Sequence, residues 1–217
     1  MHIPKTAGRT LRSILEKNYS KDEVIRTYST KQIERFQSLS KNEKDQIKLI
    51  IGHNYFGMHE HLDGPFSYIT MLRDPIERVL SLYYFILREP GTPMYKKYNG
   101  KGLDYFLDEE PQTINWQTRF VSGGELDLSK AKDHLKKYFS VVGISERFDE
   151  SLLLIEKELG IKNLNYKSFN VTPNRPRKEE ISPQILKRIE QNVNLDLELY
   201  KYALELFEEK LNELKLK

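Results

Sequence analysis

Apolar positions along the chain fall into short continuous runs that alternate with helix-spaced stripes. Lys48–Gly52 carries Leu49, Ile50 and Ile51 in succession, 66–72 is a second such run, and 140–144 a third; runs of this length predict buried strands. Ile76, Val79, Leu80 and Tyr83 lie at helical spacing. With Asp74 as N-cap, Pro75 at the first helical position and Glu77 completing a capping box, they predict a helix over 75–87. Leu11, Ile14 and Leu15 predict a helix fed by a loop over 2–10. Helices are also expected over 130–138 and over 148–159, the latter ended by Gly160. A long closing helix is capped by Ser182, with Ile185, Ile189, Val193, Leu197, Tyr200, Leu204 and Phe207 on one face. Residues 20–47 read as polar and helical in tone, 90–113 as a loop-rich insertion, 115–121 as helical or irregular, and 163–180 as irregular and in part basic.

Strands alternating with helices predict an α/β fold, a sheet with helices on both faces. No internal repeat or second domain is visible, so residues 1–217 read as one domain. Ligands in such sheets sit beyond the carboxyl ends of the strands, where the Lys5, His53 and Arg73 segments fall. A loop feeding a helix normally follows a strand, yet only three residues precede Pro4. Either the first strand is very short or the sequence begins inside a longer chain and lacks its natural N-terminal strand.

Composition narrows the picture modestly. The 35 basic and 32 acidic residues leave a formal charge of +3, an ordinary surface balance rather than the footprint of a nucleic-acid binder. With no cysteine, disulfides and thiolate metal sites are ruled out. No apolar run approaches the length of a membrane span or a secretory leader, so a cytoplasmic chain is expected.

The strongest chemical signal is Lys5-Thr6-Ala7-Gly8-Arg9-Thr10 opening a helix. Open N–H groups and the dipole at a helix start favour phosphate or sulfate oxygens. Lys5 adds charge, Thr6 and Thr10 add hydroxyls, and Gly8 lets the backbone approach closely. The lysine precedes the glycine, unlike the common nucleotide loop in which it follows. Arg73 closes a strand, and with Ser81 two turns into the next helix it can grip a second phosphate; a salt bridge to Asp74 or Glu77 explains it equally well. Arg78 and Ser81 can share a helix face. His53, immediately after a strand, suits a general base, whereas His59 and His61 read as exposed loop residues and no metal site is expected.

Together these segments resemble the carbohydrate sulfotransferase superfamily, especially the branch with the heparan sulfate 2-O- and 6-O-sulfotransferases and their bacterial relatives. His2-Ile3-Pro4-Lys5-Thr6-Ala7-Gly8 with Thr10 is similar to that family's 5'-phosphosulfate loop, and 72–83 to its 3'-phosphate segment. Further similarity lies at Ile51-Gly52-His53, at Asn115-Trp116-Gln117-Thr118-Arg119 and at 142–148. The resemblance implies a P-loop-like parallel sheet and the donor 3'-phosphoadenosine-5'-phosphosulfate. Lys5, Thr6, Ala7, Gly8, Arg9 and Thr10 would surround its sulfate and 5'-phosphate, and Arg73 and Ser81 its 3'-phosphate. His53 is implied as the base, Gln117 and Arg119 would lie near the acceptor or help close the cleft, and Asn170, Thr172 and Arg175 belong to a loop that would cover the nucleotide. The implied reaction transfers a sulfuryl group to a carbohydrate hydroxyl by in-line attack, with Lys5 stabilising developing charge and no metal required. The family's animal members are anchored Golgi enzymes, a location not carried over to this chain. Two alternatives stay open: a non-catalytic nucleotide- or glycan-binding protein of the same fold, and a nucleotide-dependent, kinase-like enzyme.

Overall fold

The computed structural model describes residues 1–166, 176 and 178–215. It is a mixed α/β structure with two small parallel sheets. Strand β1 (Val24–Thr27) pairs with β2 (Leu49–Gly52), placing Val24 opposite Leu49 and Thr27 opposite Gly52. Strand β3 (Tyr68–Leu72) pairs with β4 (Phe139–Ile144), with a register shift at Tyr68/Ile69. The first residues join the two sheets. The Met1 ammonium donates to the Ile69 carbonyl at 2.9 Å and the His2 N–H to the Gly52 carbonyl at 3.0 Å, so residues 1–3 run between β2 and β3. Ile3 is fully buried there, and burial lowers the pKa of the Met1 ammonium to about 5. The expected parallel sheet is met only in part: the strands form two separate parallel pairs, with residues 1–3 bonded to one strand of each.

Eleven α-helices are found among the described residues. Helix α1 (Gly8–Leu15) buries Leu11, Ile14 and Leu15, and α2 (Thr30–Gln37) and α3 (Lys41–Asp45) follow β1. Helix α4 (Pro75–Ile86) leads to α5 (Pro93–Tyr98), α6 (Leu103–Glu109) and α7 (Trp116–Ser122). Next come α8 (Leu128–Tyr138) and α9 (Phe148–Leu159), with α10 (Pro183–Asn192) and α11 (Asn194–Lys215) closing the chain. One core joins α1, the strands, α8, α9 and α11 through Ile14, Met71, Val142, Ile155 and Phe207. A second core packs α4 against α5, α6 and α10 through Leu80, Tyr98, Phe106 and Ile189.

Four expectations need correction. Residues 24–27, read as helical in tone, form a strand whose three leading positions are only half-buried or exposed, so its apolar signal is thin. The supposed insertion at 90–113 contains α5 and α6; Thr92 caps α5 ahead of Pro93, and Tyr98, Phe106 and Leu107 are buried. The closing helix breaks at Val193 into α10 and α11, because the start of α11 is capped from outside. The capping box at α4 is half made: Asp74 accepts the Glu77 N–H at 2.9 Å, while the Glu77 carboxylate lies 3.4 Å from the Arg73 guanidinium.

Candidate active site

Three of the four strands among the described residues end beside one cleft. Past residues 1–3 comes the loop 4–7, past β2 comes His53, past β3 Arg73, and past β4 Ser145 and Glu146; all these segments line a cleft of about 860 Å³. Helix α4 supplies its other wall with Ser81, Leu82, Phe85 and Ile86. This is the position that a parallel α/β topology reserves for ligands.

The loop is held in an unusual backbone shape. Lys5 (φ 73°) and Ala7 (φ 62°) both adopt left-handed conformations without being glycine, at a cost of order 1–3 kcal/mol each. Ala7 is the N-cap of α1 and offers no side-chain cap, so the helix start turns its backbone toward the cleft. Thr6 does not line the cleft: its hydroxyl donates to the Ile3 carbonyl at 2.9 Å and holds the loop's inner side. Gly8 is obligatory for a local reason. A Cβ there would stand 1.9 Å from Cδ2 of the buried His2 ring. Arg9 and Thr10 complete the lining on this side.

Lys5 lies 3.8 Å above the Phe85 ring, a cation–π contact. Burial, then the positive charges of Arg73, Arg88 and Arg9, pull its pKa down to about 7, against a smaller opposing effect of Glu89.

His53 donates from Nδ1 to the His2 carbonyl at 2.7 Å. A carbonyl only accepts, so this bond assigns the proton of the neutral ring to Nδ1 and leaves the Nε2 lone pair as the basic atom. Burial of the covered part of the ring lowers its pKa; the bond to His2 acts in the opposite direction. The His2 and Tyr28 rings pack against it with centroids at 4.3 and 4.8 Å. His2 itself, pushed down to about 2 mainly by burial, stays neutral. His59 and His61 face elsewhere, bonded to Tyr68 and Gln37 at 3.0 Å.

Arg73 reaches the Lys5 carbonyl at 3.3 Å, Glu77 at 3.4 Å and Glu146 at 3.8 Å. Ser81 stands on the same wall, but Arg78, three residues earlier, is fully buried and donates to the Gln112 carbonyl instead of sharing the cleft. Gln117 is 1% exposed, and its side-chain amide brackets the Arg73 peptide, accepting from its N–H at 2.9 Å and donating to its carbonyl at 2.8 Å. Arg119 lies outside the cleft lining, with its guanidinium 6.0 Å from the Trp116 ring centre. Asn170, Thr172 and Arg175 lie outside the described residues. His2, Phe85 and Glu146 were not singled out in the sequence as site residues. Glu146 follows a strand end as Arg73 does, and Phe85 lies one turn beyond Ser81; either spacing is a usable signal.

A family model described as "Sulfotransferase family" matches residues 1–203. Curated relatives include mouse and human heparan sulfate 2-O-sulfotransferase 1, each 27% identical over 168 residues, covering 65% of this chain and 47% of the relative. Mouse uronyl 2-sulfotransferase is 25% identical over 219 residues, covering 84% of this chain and 52% of the relative. The chain thus spans about half the length of the curated relatives it matches. These relatives overturn the expectation of a cytoplasmic chain, which rested on the lack of a leader or span: they are the animal enzymes that the resemblance already placed in the Golgi. A match across residues 1–203, taking in the left-handed loop, the Arg73 segment and His53, shows that the chain belongs to the sulfotransferase family.

Proposed function

We propose that this chain transfers a sulfuryl group from 3'-phosphoadenosine-5'-phosphosulfate to a hydroxyl of a carbohydrate, with a glycosaminoglycan as the acceptor class. The observation that carries the reading is the convergence of Lys5, His53, Arg73 and Ser81 on one cleft from three separate parts of the chain. The uncapped start of α1 and the left-handed loop suit a tetrahedral anion, in the manner of a P-loop. Arg73 and Ser81 suit the second phosphate that distinguishes this donor from simpler adenylates. The relatives' names, heparan sulfate and uronyl sulfotransferases, support a sugar acceptor.

When bound, the donor supplies the activated sulfuryl group and a phosphate leaving group. The chain does the rest. His53 takes the acceptor's hydroxyl proton at Nε2, held in the right tautomer by the His2 carbonyl. Lys5, protonated, offsets the negative charge that builds on the leaving oxygen, and the α1 backbone N–H groups orient the sulfuryl oxygens. Arg73 and Ser81 fix the far end of the nucleotide, and so its register against His53.

The test is calorimetric titration with 3'-phosphoadenosine-5'-phosphate and with adenosine 5'-phosphate, on the wild type and Arg73→Ala. A wild-type preference for the 3'-phosphorylated nucleotide, lost in Arg73→Ala, is the expected result. It is followed by transfer of labelled sulfate to desulfated glycosaminoglycan chains. Equal binding of both nucleotides by folded wild-type protein would refute the donor assignment.

A further inference from the structure

Helix α7 and helix α11 cap each other, and the joint they make ends on Arg73. Asp196, fully buried near the start of α11, accepts the backbone N–H groups of Gln117 at 3.1 Å and Thr118 at 2.7 Å, at the start of α7. In return Asn115, the left-handed N-cap of α7, accepts the N–H groups of Leu195 at 2.9 Å and Asp196 at 3.1 Å. Its own amide donates to the Asn194 side chain at 3.0 Å, and its backbone N–H to the Asn192 carbonyl at 3.1 Å. Two helix starts, each short of acceptors, thus satisfy one another across about 80 residues of sequence.

Gln117 is the first residue held by that joint, and its side chain grips the Arg73 peptide on both sides, at 2.9 and 2.8 Å. Because the amide both accepts and donates, it satisfies the Arg73 N–H and the Arg73 carbonyl together. Arg73 has just left β3 and begins the turn into α4, so its peptide orientation decides where the guanidinium enters the cleft. Buried Arg78 adds to the same arrangement from α4, where the Asp196 carboxylate opposes the burial that lowers its pKa.

We infer that Gln117, set by the Asn115–Asp196 reciprocal cap, is a positioning residue for Arg73 and so sets selectivity for the nucleotide's 3'-phosphate. The inference rests on the donor reading above and assigns Gln117 away from the acceptor. It ties the closing helix, remote in sequence, to recognition of the donor.

A double-mutant cycle tests it. Affinities for 3'-phosphoadenosine-5'-phosphate and adenosine 5'-phosphate are measured for wild type, Gln117→Glu, Arg73→Ala and the double variant. Gln117→Glu keeps the size and, with affinities taken across a pH range that ionises it, sets a carboxylate oxygen against the Arg73 carbonyl. The expected result is a loss of roughly tenfold or more in affinity for the 3'-phosphorylated nucleotide, with adenosine 5'-phosphate bound within about twofold of wild type. In the Arg73→Ala background the same substitution should change neither affinity. A general structural defect would lower both affinities in both backgrounds, and that result overturns the inference. Should Gln117→Glu fail to fold, Gln117→Met and Asp196→Asn carry the same comparison. A wild type that prefers the 3'-phosphate through Arg73, alongside folded Gln117 and Asp196 variants that keep the preference, refutes the positioning role alone. A wild type with no preference refutes the donor reading, and the role of Gln117 with it.

Discussion

Lys5 carries the sharpest quantitative consequence. Its pKa in the open cleft is about 7, lowered by burial and by the neighbouring arginines. The negative charge of an anion bound against it opposes both influences and raises the group toward its ordinary value near 10.5. Binding therefore takes up the fraction of a proton that free Lys5 lacks: about 0.1 at pH 6, about 0.5 at pH 7 and about 0.9 at pH 8. The sign follows directly. The complex holds more protons than the free protein, so affinity falls as pH rises, by about tenfold between pH 6 and pH 8. The assay is calorimetry of 3'-phosphoadenosine-5'-phosphate binding in buffers of different ionisation heat, each run paired with Lys5→Met. The nucleotide's own phosphate ionisation cancels in the difference between the two proteins. A wild-type uptake at pH 8 that Lys5→Met reproduces would show that the proton belongs elsewhere and would refute the reasoning.

His53→Ala should reduce turnover by roughly 10²–10⁴ while leaving nucleotide affinity nearly unchanged, as single-turnover and binding measurements would show. Because burial lowers the pKa of His53, the acid limb of kcat/KM should fall below the ordinary histidine range and vanish in the variant. Gly8→Ala drives a methyl group to 1.9 Å from the His2 ring, which is packed by His53 and Tyr28 and cannot swing clear. A loss of about 1–3 kcal/mol in denaturant unfolding is expected, recovered in large part by adding His2→Ala. Arg188 pairs with Asp104 at 2.6 Å and Asp108 at 2.5 Å, but all three side chains are more than a third exposed. Arg188→Ala should therefore change stability by no more than about 1 kcal/mol in the same assay.

The donor side of the site was legible because it is local. Lys5, Gly8 and Thr10 lie within one loop and helix start, and Arg73 and Ser81 within one strand end and the helix it feeds, so residue type and spacing marked them for anions, and the family resemblance supplied the donor. The role of Gln117 was not legible, since its partner Arg73 lies 44 residues away and the support of Asp196 lies a further 79 beyond. No periodicity encodes such a contact. The break at Val193 was hidden for the same reason. The apolar stripe continues in phase from Ile189 to Leu197, and only the caps from Asn115, outside the helix, start a new helix there. Strand β1 escaped notice because Val24 and Ile25 are its only aliphatic residues and its outer positions meet solvent.

Of the two readings open for Arg73 in the sequence, the folded chain shows the ion pair, with Glu77 and Glu146, and the proposed phosphate contact is compatible with it. Its contacts with Glu77 and Glu146 are 3.4 and 3.8 Å, longer than the about 2.7–2.9 Å of a settled charge-assisted bond. Both carboxylates are also committed elsewhere or partly exposed: Glu146 accepts from the Asp74 N–H at 3.1 Å and from the Tyr200 hydroxyl at 2.9 Å. These carboxylates hold the guanidinium at the cleft wall, and Arg73 is the first of the positive charges that, after burial, lower the Lys5 pKa. Under the proposed donor reading, a phosphorylated ligand bound at this edge, where three strand ends and a helix start meet, would offset the charge of Arg73 and raise the Lys5 pKa together.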